Sequence, residues 1–328
     1  MRLIELNNKN VNNALRLFQE SLDRNEMLYK PCTKEKFVEI FLHTKAKGQV
    51  NINIIDENGR AFAGGSYIIG AERAFITMIV VDERVRRQGL GREILGVLED
   101  KLRKEKNIKK LEIVFFNPVA LEWLIPGEEG CDHPNAPGVD MSSGAYLFFK
   151  NCGYRDFAVQ NSYFINLQEY HMPKWVETER AGLRNQNITF TLYDGDNHCG
   201  MGEMIRKFYN PLWERDILGE IQKDDGGRPI LITEHMGKVC AFAGPLDVQE
   251  SGRGYFAGIG VDEDYRGKGI AKVLFNCLCE HLKNIGAGYM TLFTGENNPA
   301  RNIYERAGFK IVRSWADMCK EIRDSSND

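Results

Sequence analysis

The chain has no cysteine pair at C-x-x-C spacing, no apolar run near the ~18 residues that span a bilayer, and no excess of positive charge. Its eight cysteines, at 32, 131, 152, 199, 240, 277, 279 and 319, are scattered through 328 residues. That usage suits a reducing compartment better than a disulfide framework or a structural zinc site. Cys131 with His133, and Cys277 with Cys279, have ligand chemistry but no second pair at metal spacing, so no metal is expected. A formal net charge of -3 leaves no basic surplus to neutralise nucleic acid or an anionic membrane. The first residues, MRLIELNNKN, alternate apolar and polar side chains like a strand and lack the apolar core of a secretory signal. The expectation is a soluble, cytoplasmic protein, a monomer or homodimer, with no nucleic-acid or membrane partner.

What the chain does have is a repeat. Val81-Asp82-Glu83 and Val261-Asp262-Glu263 stand 180 residues apart. Each is followed by a glycine turn: VRRQGLG at 85–91 and YRGKGIA at 265–271. Around the first turn, strands are expected at 1–6, 50–56, 60–69 and 73–82, with helices near 10–21 and 33–45. "DENG" and "GAER" are turn chemistry joining antiparallel neighbours. Leu90, Ile94, Val97, Leu98 and Leu102 recur at helical spacing, and LEIVFF reads as the next strand. The second half repeats this order. A strand at 188–193 leads, helices near 201–208 and 212–222 follow, and then strands at 230–235, 238–244 and 254–261. Helix-spaced Ile270, Val273, Leu274, Leu278 and Leu282 come next, then the strand GYMTLFT. Two domains are therefore expected, 1–168 and 187–328, joined through the polar segment 177–187. Each should be a mixed, mostly antiparallel sheet flanked by helices.

A strand that ends at Val261 and a helix that starts near Gly269 leave backbone N–H groups pointing at the helix N-terminus. Those amides and the positive end of the helix dipole attract anions, and glycine lets an anion come close. Arg266 and Lys268 add positive potential, so a pyrophosphate is the expected guest. Neither turn fits G-x-x-x-x-G-K-[ST] or G-x-G-x-x-G, and antiparallel neighbours argue against both of those folds.

Arg86-Arg87-Gln88-Gly89-Leu90-Gly91 and Arg266-Gly267-Lys268-Gly269-Ile270-Ala271 resemble the R/Q-x-x-G-x-G/A motif of the GCN5-related N-acetyltransferases, the GNAT family. The resemblance covers nearly the whole chain as a tandem pair of GNAT folds. It implies that each turn wraps the pyrophosphate of acetyl-coenzyme A, and that the strand ends at Val81 and Val261 pair with the pantetheine arm. In ENNPARNIYERAGFKIV, Asn297, Ala300, Tyr304 and Gly308-Phe309 match the family's closing pattern. The match implies an Asn297 contact to the pantetheine and a Tyr304 hydroxyl near the coenzyme sulfur, placed to protonate the departing thiolate.

The repeat is broken downstream of the first turn. Counting back from Gly153 as from Gly308 puts Phe149 where Tyr304 stands and Ser142 where Asn297 stands, and a phenyl ring donates no proton. The first copy also carries about 25 additional residues within 117–143, expected to form an ordered loop without regular structure. The sequence therefore points to an acetyl-coenzyme A dependent N-acetyltransferase acting on a primary amine, of a small molecule before a peptide, with the second copy catalytic. A sensor that binds acyl-coenzyme A without turnover is the alternative. No mid-strand carboxylate presents itself as the base. Glu203, Asp247 and Glu296 are candidates beside a water relay, and Tyr209 and Trp213 are aromatics for either the acceptor or the core.

Overall fold

The computed structural model describes residues 2–105, 107–114, 117–223 and 226–322. The chain divides into two compact units, one of Met1–Asn161 with the segment that begins at Arg313, the other Ser162–Val312.

Unit 1 opens with β1 (Leu3–Glu5), α1 (Val11–Asp23), α2 (Lys34–Phe41), β2 (Gln49–Asp56), β3 (Ala61–Ile68) and β4 (Arg73–Val81). The first four strands pair antiparallel in chain order. Helix α2 starts where Thr33 accepts the Lys36 N–H, a side-chain cap. After the glycine turn, α3 (Leu90–Leu102) buries Ile94, Leu98 and Leu102 of the expected stripe, with Leu95 beside them and Leu90 and Val97 half-buried at its edges. It delivers the chain to β5 (Lys110–Ile113), parallel to β4.

Strand alternation sends Ile54, Ala61 and Ala63 to the core under α3, and Ile55 and Phe62 to a second core under α1 and α2. In β4 the alternation breaks. Ala74 and Ile76 face the first core, Met78 and Val80 the second. Gly65 pairs with Ile76 and Gly64 with Met78, so Thr77 is an extra residue, a bulge that turns the rest of the strand over.

The 117–143 segment is more regular than expected. β6 (Trp123–Leu124) pairs with β7 (Asp132–His133), and β8 (Val139–Asp140) comes before α4 (Gly144–Asn151). Wholly buried Trp123 organises it. Its indole N–H donates to the Asn135 carbonyl at 3.0 Å, and its ring meets Trp315 edge-on at 4.9 Å.

The expected boundary at 168–187 and the compact units divide the chain differently. The passage from unit 1 to unit 2 falls inside β9 (Arg155–Asn166), between Asn161 and Ser162. Tyr163 and Leu167, from the expected first domain, and Tyr170 just after it join the core of unit 2. Segment 177–187, read as a polar joint, lies largely in α5 (Lys174–Arg184), which buries Val176 and Leu183 on one face.

Unit 2 repeats the plan. It contains β10 (Ile188–Leu192), α6 (Met201–Lys207), α7 (Pro211–Trp213), a π-helical turn Glu214–Leu218, α8 (Gly219–Ile221), β11 (Leu231–His235) and β12 (Lys238–Gly244). The strand expected at 254–261 is two pieces, β13 (Arg253–Gly254) and β14 (Gly258–Val261), which join different sheets. Next come α9 (Ile270–Asn284), β15 (Tyr289–Gly295) and α10 (Arg301–Arg306). The chain returns to unit 1 inside β16 (Lys310–Glu321), whose Met318–Glu321 run antiparallel to Ile113–Lys110. The last strand of the second repeat thus covers the β5 edge of the first unit, an edge that would otherwise expose unpaired N–H and C=O groups.

Candidate active site

In both units the strand before the glycine turn pairs with the strand after the helix only at its beginning. Arg73–Phe75 lie parallel to Lys110–Glu112, and Arg253–Gly254 to Tyr289–Met290. Among the described residues the ladder stops beyond those pairs, and β4 and β14 run on beside β3 and β12.

The two turns are built alike. Asp82 and Asp262 each accept the N–H two residues on, at 3.0 and 3.1 Å, and start a short 3-10 turn. Arg86 and Arg266 each donate an Nε–H back to the strand-end carbonyl, Val81 at 2.9 Å and Val261 at 3.3 Å. Gly89 (φ 88°) and Gly269 (φ 82°) cap α3 and α9 in the left-handed region, where a side chain is strained.

In unit 2 the turn borders a cavity of about 510 Å3. It is lined by Val261, the run 265–272, Asn302, Ile303 and Arg306 of α10, and Glu179 of α5. All of Arg266, Gly267, Lys268, Gly269, Ile270 and Ala271 therefore meet at one cavity, with Val261 at its wall. Two cations missing from the motif join them: Lys272, in the first turn of α9, and Arg306. Both stack on Trp175, at 5.6 and 5.3 Å. Lys272 also pairs with Glu179 at 2.5 Å, the one acid in the lining. Four cations around glycine-exposed amides at a helix N-terminus fit a polyphosphate, whose charge they neutralise and whose oxygens they bind. No added Cβ at Gly267 would meet an atom within 4 Å, so an anion has room there.

Tyr304 lies on α10, next to the lining residue Ile303, and is 6% exposed. Its ring packs against Phe275 at 4.9 Å, Tyr163 at 6.1 Å and Phe256 at 6.2 Å. Burial first, and the Tyr163 phenol second, push its pKa up to about 12, so it holds its proton at neutral pH, as a general acid must. Tyr163 donates to Glu305 at 2.9 Å. Asn297 is exposed in the turn after β15 and is not among the cavity-lining residues. Among the candidate bases, Glu203 and Glu296 are exposed, and Asp247 is bound to Arg228 at 2.9 Å. Trp213 is packed between Phe208 and Phe242 with its N–H on the Ala257 carbonyl, whereas Tyr209 is 89% exposed.

Unit 1 brings Val81, Arg86, Arg87, Gln88, Gly89, Leu90 and Gly91 into the same turn, but the surroundings differ. Glu26 grips Arg86 with both oxygens at 2.6 Å. That contact, more than Arg24 beside it, holds the Glu26 carboxyl down to about 2. Arg87 stands at φ 62°, a left-handed position that Gly267 fills in unit 2. The Phe148 ring lies 3.3 Å from where a Cβ on Gly91 would be. Sequence reasoning missed Glu26, Phe148, Lys272, Arg306 and Glu179. The place of Phe148 was readable from the same count that paired Phe149 with Tyr304; Glu26 and Glu179 carried no local signal. Among the described residues no group of three His, Cys, Asp or Glu side chains could hold a metal ion, and no helix is long and apolar enough to cross a membrane.

The profile of the Acetyltransferase (GNAT) family matches residues 14–123 and 174–309, more than half of the chain, and the protein belongs to that family. An uncharacterised N-acetyltransferase of Methanocaldococcus jannaschii is 40% identical over 66 residues, 19% of this chain and 29% of that protein. The mycothiol acetyltransferase of Propionibacterium freudenreichii subsp. shermanii is 31% identical over 93 residues, 28% of this chain and 27% of that protein. The chain thus matches less than a third of the length of either relative. A tandem GNAT protein from the clavulanic acid biosynthesis pathway shares the fold, with a TM-score of 0.58 at 14% identity, covering 99% of each chain.

Proposed function

We propose that the protein is an acetyl-coenzyme A dependent N-acetyltransferase whose second copy moves the acetyl group to the primary amine of a small molecule. One observation carries this reading: α10 supplies Asn302, Ile303 and Arg306 to the four-cation cavity and Tyr304 beside it. Arg266, Lys268, Lys272 and Arg306 would hold the coenzyme's phosphates, and the Val261 strand end and Asn297 its pantetheine arm. The coenzyme brings a thioester carbonyl that a neutral amine attacks. As the C–S bond breaks, Tyr304 gives its proton to the sulfur and regains one from solvent. The ammonium proton leaves through water, since Asp247 is held by Arg228 and the other two candidate carboxylates are solvated. A small-molecule acceptor accords with the names of two similar proteins, the mycothiol enzyme and the clavulanic acid pathway protein.

The burial of Tyr304 among aromatic rings favours a second reading, a sensor of acyl-coenzyme A without turnover. Thiol release from acetyl-coenzyme A across a panel of amines separates the two. Release that Tyr304→Phe abolishes supports the enzyme. Tight binding with no release on any amine supports the sensor, and an unaffected variant removes Tyr304 from the chemistry.

A further inference from the structure

We infer that the first copy is a closed site, filled by its own side chains, and that each chain binds one coenzyme. The inference rests on the reading above, in which the cavity of unit 2 is the coenzyme site, and on comparing equivalent positions.

The cation that heads each motif has opposite circumstances. Arg266 is exposed and, among the described residues, its side chain has no acidic partner; its one side-chain hydrogen bond returns to the Val261 carbonyl. Arg86 makes the same return bond but also a two-point ion pair with Glu26, 60 residues away on the loop after α1. Arg24 binds the same carboxylate at 3.1 Å, and Arg24 reaches Glu83 at 3.5 Å. Glu26 therefore already supplies the negative charge that a phosphate would bring. An incoming pyrophosphate would have to break a charge-assisted, two-point pair and leave a half-buried carboxylate beside its own oxygens.

The wall of the site has also changed. Ile303 lines the open cavity of unit 2, and the residue five before Gly153, its equivalent, is Phe148. That larger ring sits against Gly91, the first-copy counterpart of the lining residue Ala271, and packs on Phe149 at 5.2 Å. Arg306 is matched by Asn151 and Asn302 by Leu147, so a cation and a polar group of the lining are gone as well.

The insertion also ties down the loop that carries Glu26. Lys30 N–H donates to the Glu122 carbonyl at 2.8 Å and Leu124 N–H to the Leu28 carbonyl at 2.7 Å, so the loop after α1 is stitched to the Trp123 strand. In unit 2 the equivalent loop after α6 carries the exposed Tyr209. Glu26, on the stitched loop, is thereby held in place to grip Arg86.

Calorimetric titration of the full chain with acetyl-coenzyme A tests this. One site per chain is expected. Gly269→Glu should abolish it and Gly89→Glu should leave it intact. Because both glycines stand at positive φ, Lys268→Glu and Gln88→Glu, at exposed positions, repeat the comparison without backbone strain: about tenfold weaker binding for the first and no change for the second. Two sites in the unaltered chain, or loss of binding through Gly89→Glu or Gln88→Glu alone, would overturn the inference while leaving the proposed function standing. No binding by the unaltered chain would remove the proposed function and this inference with it. Glu26→Gln with Phe148→Ile should add a second, weaker site. If the double variant stays at one, these two side chains are not what closes the first copy.

Discussion

The turns at 85–91 and 265–271 share a backbone plan and differ in what surrounds them. Both have the aspartate that starts the 3-10 turn, the arginine returning to the strand end and the left-handed glycine cap. One opens on a cavity with four cations; the other has its leading arginine paired and an aromatic ring against its glycine. A turn motif describes the path of the backbone. Whether the path still leads to a binding site depends on residues that arrive from elsewhere in the fold.

The sharpest way to break the comparison is to exchange the two α-helical residues. Tyr304→Phe should lower kcat for thiol release by about 10²–10⁴-fold with coenzyme binding retained. The reverse change, Phe149→Tyr, should add nothing to turnover of either the parent or the Tyr304→Phe variant, because the first copy is closed. Rescue by Phe149→Tyr would show an open first site.

A middle-sized effect concerns the cations that the motif does not contain. Lys272→Ala and Arg306→Ala should each weaken coenzyme binding about tenfold at low salt, with the loss shrinking as salt rises. Arg92→Ala, the same change at the first-copy counterpart of Lys272, should do nothing. Equal losses in a fluorescence titration would erase the distinction between the turns.

The smallest effect lies on the returning strands. Asp317 of β16 is buried in unit 1, with Gln160 donating to it at 2.8 Å and its other oxygen unpartnered. Its counterpart by the same count is Ser162. Burial pushes the Asp317 carboxyl up to about 6. The folded state therefore favours the protonated acid, and this contribution is lost as pH rises from the ordinary carboxylate range through about 6. Asp317→Asn should remove that slope and raise stability above pH 6 by about 1–2 kcal/mol, read from denaturation midpoints across pH. A midpoint that falls equally at every pH would mean that the carboxylate is needed for packing instead.

Much of the fold was readable. The helical spacing of Leu90 to Leu102 and of Ile270 to Leu282, the alternating strands and the 180-residue offset are local or periodic signals, and the elements lie where these place them. Three features were not readable from pattern. The bulge at Thr77 reverses a strand without changing its composition. The strand expected at 254–261 breaks at 255–257 because its two ends find partners in different sheets. The 177–187 segment looks polar because Leu183 is the one residue of it that α5 buries, with Val176 just before it, a stripe too thin to register. Around the cavity, the run 266–271 was legible as a glycine turn, whereas Lys272 and Arg306 needed the helices to be laid side by side around Trp175.

The sequence by itself determined the two strand–turn–helix units, the glycines of their turns and the difference between Tyr304 and Phe149, because each depends on residues adjacent in the chain. Only the tertiary structure decided which turn stays open and where the units divide. Those outcomes rest on contacts between residues far apart in sequence: Glu26 with Arg86, Phe148 with Gly91, and Met318 of the last strand with Ile113. Local propensity carries no information about such pairs, since a carboxylate, a ring or a strand edge takes whichever partner the packed chain brings within reach.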